Sequence, residues 1–347
     1  MKSKEQKLRQ IVQNLTYHKF VHEACLHLEK LDGTSSLRSC FGDLPEHRPF
    51  YVASINKLFV AALIFKLVEE EKIHLHTPIH HVLPSALTDG LHVYNGTDYS
   101  DTITVKQLLS HTSGLRCYLI DRHPDGTTMM NRLQRGENTA LTLETAVKRV
   151  RAMRPAFEPG KSGKAHYSNT NYHLLAGIAE TVTGVPIEKQ MQEMFVKLGM
   201  RSTFVIAPNE KRDYHPVRFK NTRPPLDAFF GASRYDVAST TPDLIRFLRA
   251  YITGELFPAD KVMEGQQWNR IFFPFHYGTG LQRFSIPRFL SPFQAVPEMW
   301  GHSGSVGSAL FFLPRHNILV AGTTNQLATP QRIYRGIIQA VKVFEGP

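Results

Sequence analysis

The apolar positions change period twice along the chain. Two strand-length stretches, Val21 to Lys30 and Ser36 to Phe41, flank Leu31-Asp32-Gly33-Thr34, and an Asp-Gly pair between such runs favours a hairpin turn. From Ser54 to Lys72, the residues Leu58, Phe59, Ala61, Leu63, Ile64, Leu67 and Val68 predict a mostly apolar helix that ends in Glu69-Glu70-Glu71-Lys72. Helical patterns recur over Val105 to Ser110, Leu143 to Met153, Tyr172 to Thr183, Ile187 to Lys197 and Thr241 to Ile252. After about residue 275, Tyr277 to Phe284, Ser308 to Leu313 and Ile318 to Thr323 read as strands, and Tyr334 to Phe344 as a closing helix. Strands at both ends around a helical middle predict an α/β (α+β) fold: an antiparallel sheet formed by the two chain ends, flanked by helices, with a mainly helical inserted region. The expected division is 1–75 and 255–347 for the sheet region and 76–254 for the helical one.

Composition narrows the function without naming it. A chain of 347 residues that is 42% hydrophobic can bury a sizeable core as one large domain or two smaller ones. No run of about 18 apolar residues occurs, and Met1 to Gln13 is polar without an apolar signal core, so the expected localisation is cytoplasmic, or secreted or periplasmic if a leader was removed. The charge of +11 arises from 41 Lys+Arg against 30 Asp+Glu, but the basic residues are scattered and carry no aromatic-interleaved stripe. That argues for a small-molecule substrate and against nucleic acid. Cys25, Cys40 and Cys117 are odd in number and lack metal-ligand spacing, which predicts buried thiols in a reducing compartment and no disulfide framework.

Candidate chemistry concentrates in three segments. In Ser54-Ile55-Asn56-Lys57, a helix would put the hydroxyl and the amine on one face, where an amine kept partly unprotonated by burial accepts the hydroxyl proton. Tyr167-Ser168-Asn169 follows a turn-rich stretch at a helix mouth, offering a phenol for acid/base work whose pKa neighbouring cations such as Lys161 and Lys164 would lower, and an amide to bind substrate. Gly301-His302-Ser303-Gly304-Ser305-Val306-Gly307-Ser308 runs into an apolar strand, and a small-residue strand edge lets a substrate backbone approach an N–H donor. Two patterns fail on closer reading. His74, His76, His80 and His81 lack the acidic partner that a metal site of this spacing needs, and Gly231-Ala232-Ser233-Arg234-Tyr235 lacks the closing glycine of a nucleophile elbow. No metal or cofactor is expected.

The order of these segments resembles that of the penicillin-recognising serine hydrolases: class C β-lactamases, D-alanyl-D-alanine carboxypeptidases, and related esterases and D-aminopeptidases. The resemblance extends to Leu108-Leu109-Ser110-His111-Thr112-Ser113-Gly114-Leu115, Phe157-Glu158-Pro159-Gly160, Leu198-Gly199-Met200-Arg201-Ser202-Thr203 and Thr323-Thr324-Asn325, covering roughly residues 18 to 345. It implies a β-lactamase/transpeptidase-like fold and a serine hydrolase that forms an acyl-Ser54 ester from a small ester, amide or D-amino-acid peptide, with β-lactams as further candidates. It implies Ser54 as nucleophile, Lys57 as its proton partner and Tyr167 as acid/base. Asn169, His302, Ser303, Gly304 and Ser305 would bind substrate, with N–H groups of Ser54 and Ser305 as oxyanion donors. Where the β-lactamases of the family usually carry Lys-Thr-Gly, this chain has His302, which implies a positive charge present only at lower pH and a carboxylate grip that weakens as pH rises. Two other readings stay open at this point: a non-catalytic ligand-binding or sensing member of the same fold, and an acyltransferase. The sequence does not set the oligomeric state.

Overall fold

The structure is a computed structural model and describes residues 2–207, 212–291 and 296–346. Its main sheet has eight strands: β1 (Glu23–Lys30), β2 (Ser36–Gly42), β3 (Asn269–Phe272), β4 (Phe275–Tyr277), β5 (Gln282–Phe284), β6 (Met299–Ser303), β7 (Ala309–Leu313) and β8 (Ile318–Thr323). They lie in the order β2-β1-β8-β7-β6-β5-β4-β3, and every neighbouring pair is antiparallel. The two chain ends thus meet where β1 pairs with β8, Leu26 facing Gly322.

Both faces of the sheet are covered, which explains the unbroken apolar runs of β7 and β8. Leu310, Phe312, Leu319 and Ala321 point into one core, which they share with the helices Asn56–Glu69 and Thr241–Thr253. Their alternates Ala309, Phe311, Leu313, Ile318 and Val320 enter a second core beneath the helices Lys4–Thr16 and Arg332–Glu345. The helix Lys4–Thr16 was not anticipated by the polar composition of its segment. It is capped by Ser3, which exchanges hydrogen bonds with Gln6, and it buries Leu8, Val12 and Leu15 along one stripe.

Three expectations change in detail. The run Tyr277 to Phe284 is not one strand but the facing ends of β4 and β5, turning through Gly278–Leu281. The apolar helix begins at Asn56, and Ser54 sits just before it in a 3-10 turn, Ala53–Ile55. Cys25 and Cys40 form a disulfide, contrary to the expectation of free thiols, while Cys117 is free and buried. The cause is the hairpin register: Glu29 faces Ser36, so Cys25 falls directly opposite Cys40.

Candidate active site

Ser54 is held in place from two sides. Upstream, Phe50–Tyr51 pairs with Val237–Ser239, and the Val52 N–H continues that ladder to the Val237 carbonyl at 3.0 Å. Ala53 then turns with φ of 50°, a left-handed conformation that costs a non-glycine residue about 1–2 kcal/mol and is tolerated where the surroundings fix it. Opposite, the turn joining β6 to β7 closes through Gly304 N–H to the Ser308 carbonyl, and Ser308 Oγ donates to the Val52 carbonyl at 2.7 Å. A Cβ on Gly304 would stand 2.6 Å from the Val52 carbonyl and 2.9 Å from Ala53 Cβ, so only glycine lets this turn dock against the serine loop. Ser54 remains half-buried, while Ala53, Ile55, Asn56 and Lys57 are buried.

Lys57 reaches Ser54 as the helix spacing predicts, with Nζ 3.2 Å from Oγ. Burial removes water from the ammonium and draws its pKa down to about 8, against the opposing field of Asp236. The ammonium also lies 5.3 Å from the Tyr167 ring centre and 5.7 Å from that of Tyr172. The Tyr167 phenol titrates above its ordinary range because burial penalises the phenolate, and its interaction with Ser54 only partly offsets this. Lys161 and Lys164 do not lower it as expected; they are exposed on their turn and exert no resolved effect on the phenol. Tyr167 is therefore a neutral hydrogen-bond donor at physiological pH.

His302 also departs from expectation. It is fully buried in β6, and burial together with the Lys57 charge depresses its pKa to about 3, so it carries no conditional positive charge. Its Nδ1 lies 2.8 Å from the Ser303 carbonyl, which fixes the proton there and leaves Nε2 bare among the Tyr167 and Tyr277 rings. Ser303 donates from N and Oγ to Gln282 Oε1, at 3.0 and 2.8 Å. His302, Ser303 and Gly304, expected to bind substrate, are not among the residues that line the cleft. Asn169 and Ser305, with Ser54 and Lys57, line a narrow cleft of about 600 Å³ that includes its solvent-open part.

The remainder of that lining was not anticipated. Leu119, Met130, Leu133, Val217, Leu226 and Phe229 form an apolar bowl, and one carboxylate, Asp236, stands within it. Burial raises the Asp236 pKa to about 6, although Ser233, Tyr51 and Asn56 hydrogen-bond to it. The segment Ser110 to Leu115 is a scaffold outside the cleft. His111 (φ 57°) and Gly114 (φ 76°) bend it, and its carbonyls accept from Ala156, Gly160 and His166, which ties down the approach to Tyr167. His111 Nδ1 accepts from Ser168 N and Asn171 Nδ2, so its proton is on Nε2.

The chain resembles known proteins in sequence and in fold. The beta-lactamase family model matches residues 32–342. PbpX, a penicillin-binding-protein candidate of Bacillus subtilis (strain 168), is 30% identical over 217 residues, which are 60% of this chain and 47% of that protein; the match spans about half of the relative. A D-stereospecific amidohydrolase from Streptomyces sp. superposes with a TM-score of 0.74 at 25% identity, covering 95% of this chain and 97% of its own. The D-amino acid amidase of Ochrobactrum anthropi SV3, complexed with D-phenylalanine, gives 0.77 at 19% identity, covering 99% of both. With most of its length matched and a mixed fold built on one large antiparallel sheet, the chain belongs to the beta-lactamase family.

Proposed function

We propose that this protein is a serine hydrolase that cleaves a small ester, amide or D-amino-acid peptide through an acyl-Ser54 intermediate. The observation that carries the reading is the buried Lys57 amine 3.2 Å from the half-buried Ser54 hydroxyl, with its pKa brought to about 8 by burial. A lysine in that state is a base near neutral pH, while the part-buried Tyr167 phenol, raised above its ordinary range, is not. The Ser54 proton passes to Lys57 as Oγ bonds to the substrate carbonyl carbon. The lysine ammonium returns that proton to the leaving nitrogen or oxygen, directly or through the Tyr167 hydroxyl, as the scissile bond breaks. Water then gives a proton to Lys57 while its hydroxide adds to the acyl carbon, and Ser54 leaves with that proton. The N–H groups of Ser54 and Ser305, both at the cleft, are the candidate oxyanion donors.

The similarity to an amidohydrolase and a D-amino acid amidase supports an amide or ester of an amino acid as substrate. The test is covalent labelling. A fluorophosphonate or penicillin probe is expected to add its mass at Ser54, and Ser54→Ala is expected to lose both label and turnover of p-nitrophenyl esters. Equal turnover by the two proteins would refute the assignment.

A further inference from the structure

The end of the main sheet opposite the chain-terminal hairpin combines exposed aromatic rings with positive charge. β3 is the last strand in the sheet order, and its four-residue length, its irregular register between Arg270 and Phe272 and its exposed Arg270 all hinder pairing with another strand edge. Strand addition therefore does not account for the apolar residues that follow. Phe272 is 53% and Phe273 56% exposed, and in the nearby turn Arg288–Leu290, Phe289 is 78% and Leu290 55% exposed. A hydrogen bond from the Ser285 N–H to the Pro274 carbonyl, at 3.2 Å, ties the two segments together. Half of the eight large apolar side chains exposed among the described residues thus share one corner. The corner is also braced from inside: the Phe272 ring lies 5.2 Å from Phe275, which lies 5.4 Å from Phe284, which stacks on Tyr334 at 4.9 Å. Apolar rings held out together in this way mark a surface that meets something other than water.

Charge selects the occupant. Between Glu264 and Glu298 the chain carries three arginines, Arg270, Arg283 and Arg288, and no acidic residue. Arg270 and Arg288 are exposed next to the phenylalanines, and the exposed Arg335 borders the apolar groove formed by Phe275, Phe284, Ile286 and Tyr334. Glu298 and Glu345 share a second groove with Arg288, but Trp300 Nε1 and His316 Nδ1 engage them at 2.6 Å, and Arg315 and Lys342 stand in the same groove. Two copies meeting at this corner would set like charges against each other, which disfavours a dimer there. Protruding rings flanked by arginines match instead the boundary of an anionic bilayer, where phosphates meet guanidinium groups and acyl chains receive the rings. We infer that this corner docks on an anionic lipid surface: Phe272, Phe273, Phe289 and Leu290 enter the headgroup–acyl boundary, while Arg270, Arg288 and Arg335 meet lipid phosphates. The attachment is peripheral, since no helix among the described residues is long and apolar enough to cross a membrane. It stands independently of the acyl-Ser54 reading.

Two measurements on the full chain test it. The first is cosedimentation with vesicles of phosphatidylcholine alone and of phosphatidylcholine mixed with phosphatidylglycerol. The wild type is expected to bind the anionic vesicles at least about ten-fold more tightly than the neutral ones, and to lose that margin as salt rises. Replacing the rings together, Phe272→Ser, Phe273→Ser and Phe289→Ser, should weaken binding to anionic vesicles at least about ten-fold. Arg270→Gln with Arg288→Gln should weaken it about five-fold per arginine. All five side chains are exposed, so thermal melts of both variants should match the wild type. The second uses an environment-sensitive fluorophore on Phe289→Cys, whose emission should shift to the blue on anionic vesicles. The same label on Val196→Cys, an exposed site on the helix Ile187–Lys197 that packs into the other core, should not shift. No vesicle binding by the wild type, binding that survives loss of the three rings, or equal shifts at both labels would overturn the inference. A wild-type dimer that the ring substitutions dissociate, without vesicle binding, would overturn it in favour of an interface between copies.

Discussion

The electrostatics of Lys57 make a prediction that separates it from every other candidate base. At a pKa of about 8, roughly one molecule in ten carries the neutral amine at pH 7, whereas an ordinary lysine near 10.5 would do so in about one of three thousand. Burial thus raises the working form by about 300-fold, equivalent to about 3 kcal/mol. The assay is kcat/KM against pH for p-nitrophenyl butyrate, which has no ionisable acyl group, with Ser54→Ala as the blank. The rate should climb close to ten-fold per pH unit between about 6.5 and 7.5, bend near 8, and level off above it. Below about pH 6 Asp236 takes up a proton; the field that supports the lysine charge is then lost, so the slope should become shallower there. His302 and His111 stay neutral throughout, because burial depresses both, and add no bend near 6.5. Lys57→Ala should lose about 10²- to 10⁴-fold together with the bend. A flat wild-type profile from pH 6 to 9, or a bend near 8 that survives Lys57→Ala, would refute the assignment.

Other outcomes follow from the same geometry. Tyr167→Phe should lose about 10²-fold or more in kcat with little change in KM, since it removes the hydroxyl proposed to relay the proton to the leaving group and no cleft surface; steady-state kinetics distinguish this from a binding defect. Gly304→Ala forces a Cβ to within 2.2 Å of Ser308 Oγ and 2.6 Å of the Val52 carbonyl, so a thermal melt should show about 1–3 kcal/mol of destabilisation, with activity falling as the Ser54 loop shifts. His302, His173 and His27 have pKa values brought down by burial to about 3, 4 and 4, below their unfolded value near 6.5. Their stabilising contribution is therefore complete above about pH 6.5 and is lost as pH falls through the folded values; denaturation midpoints should drop between pH 6.5 and 4, and less steeply in His302→Gln.

Much of the fold was legible because its signals are local. The Asp-Gly turn, the apolar helix after Ser54 and the runs that became β7 and β8 each satisfy a period within a few residues. What escaped was local too, but faint. Lys4–Thr16 shows only Leu8, Val12 and Leu15 against a polar background, and they form a stripe only once a sheet lies beneath them. The disulfide was within reach: a turn centred on Asp32-Gly33 sets Glu29 against Ser36, and counting outward along both strands arrives at Cys25 and Cys40. An odd cysteine count says nothing about that register.

The site divides differently. Sequence order indicated the side chains that meet at Ser54, because nucleophile and amine are three residues apart and the tyrosine follows a recognisable turn. Their protonation was misread, because it depends on desolvation, which no short window records. Two groups were assigned charges by their neighbours in sequence, Tyr167 by Lys161 and Lys164 and His302 by its ordinary pKa, and in both burial prevails and keeps the group neutral. Asp236 is the complementary case. Two of its partners, Tyr51 and Asn56, are 185 and 180 residues away, so nothing near it in the chain marks it as part of the cleft. With Tyr167 and His302 neutral, the charges left beside Ser54 are the Lys57 amine and the Asp236 carboxylate. The amine has a base's work to do at the serine, whereas the carboxylate is held by Tyr51, Asn56 and Ser233, and its field works against the fall of the Lys57 pKa that burial causes. That asymmetry places a charge that tunes Lys57 at Asp236, and none at the buried, neutral His302 to which the sequence first pointed.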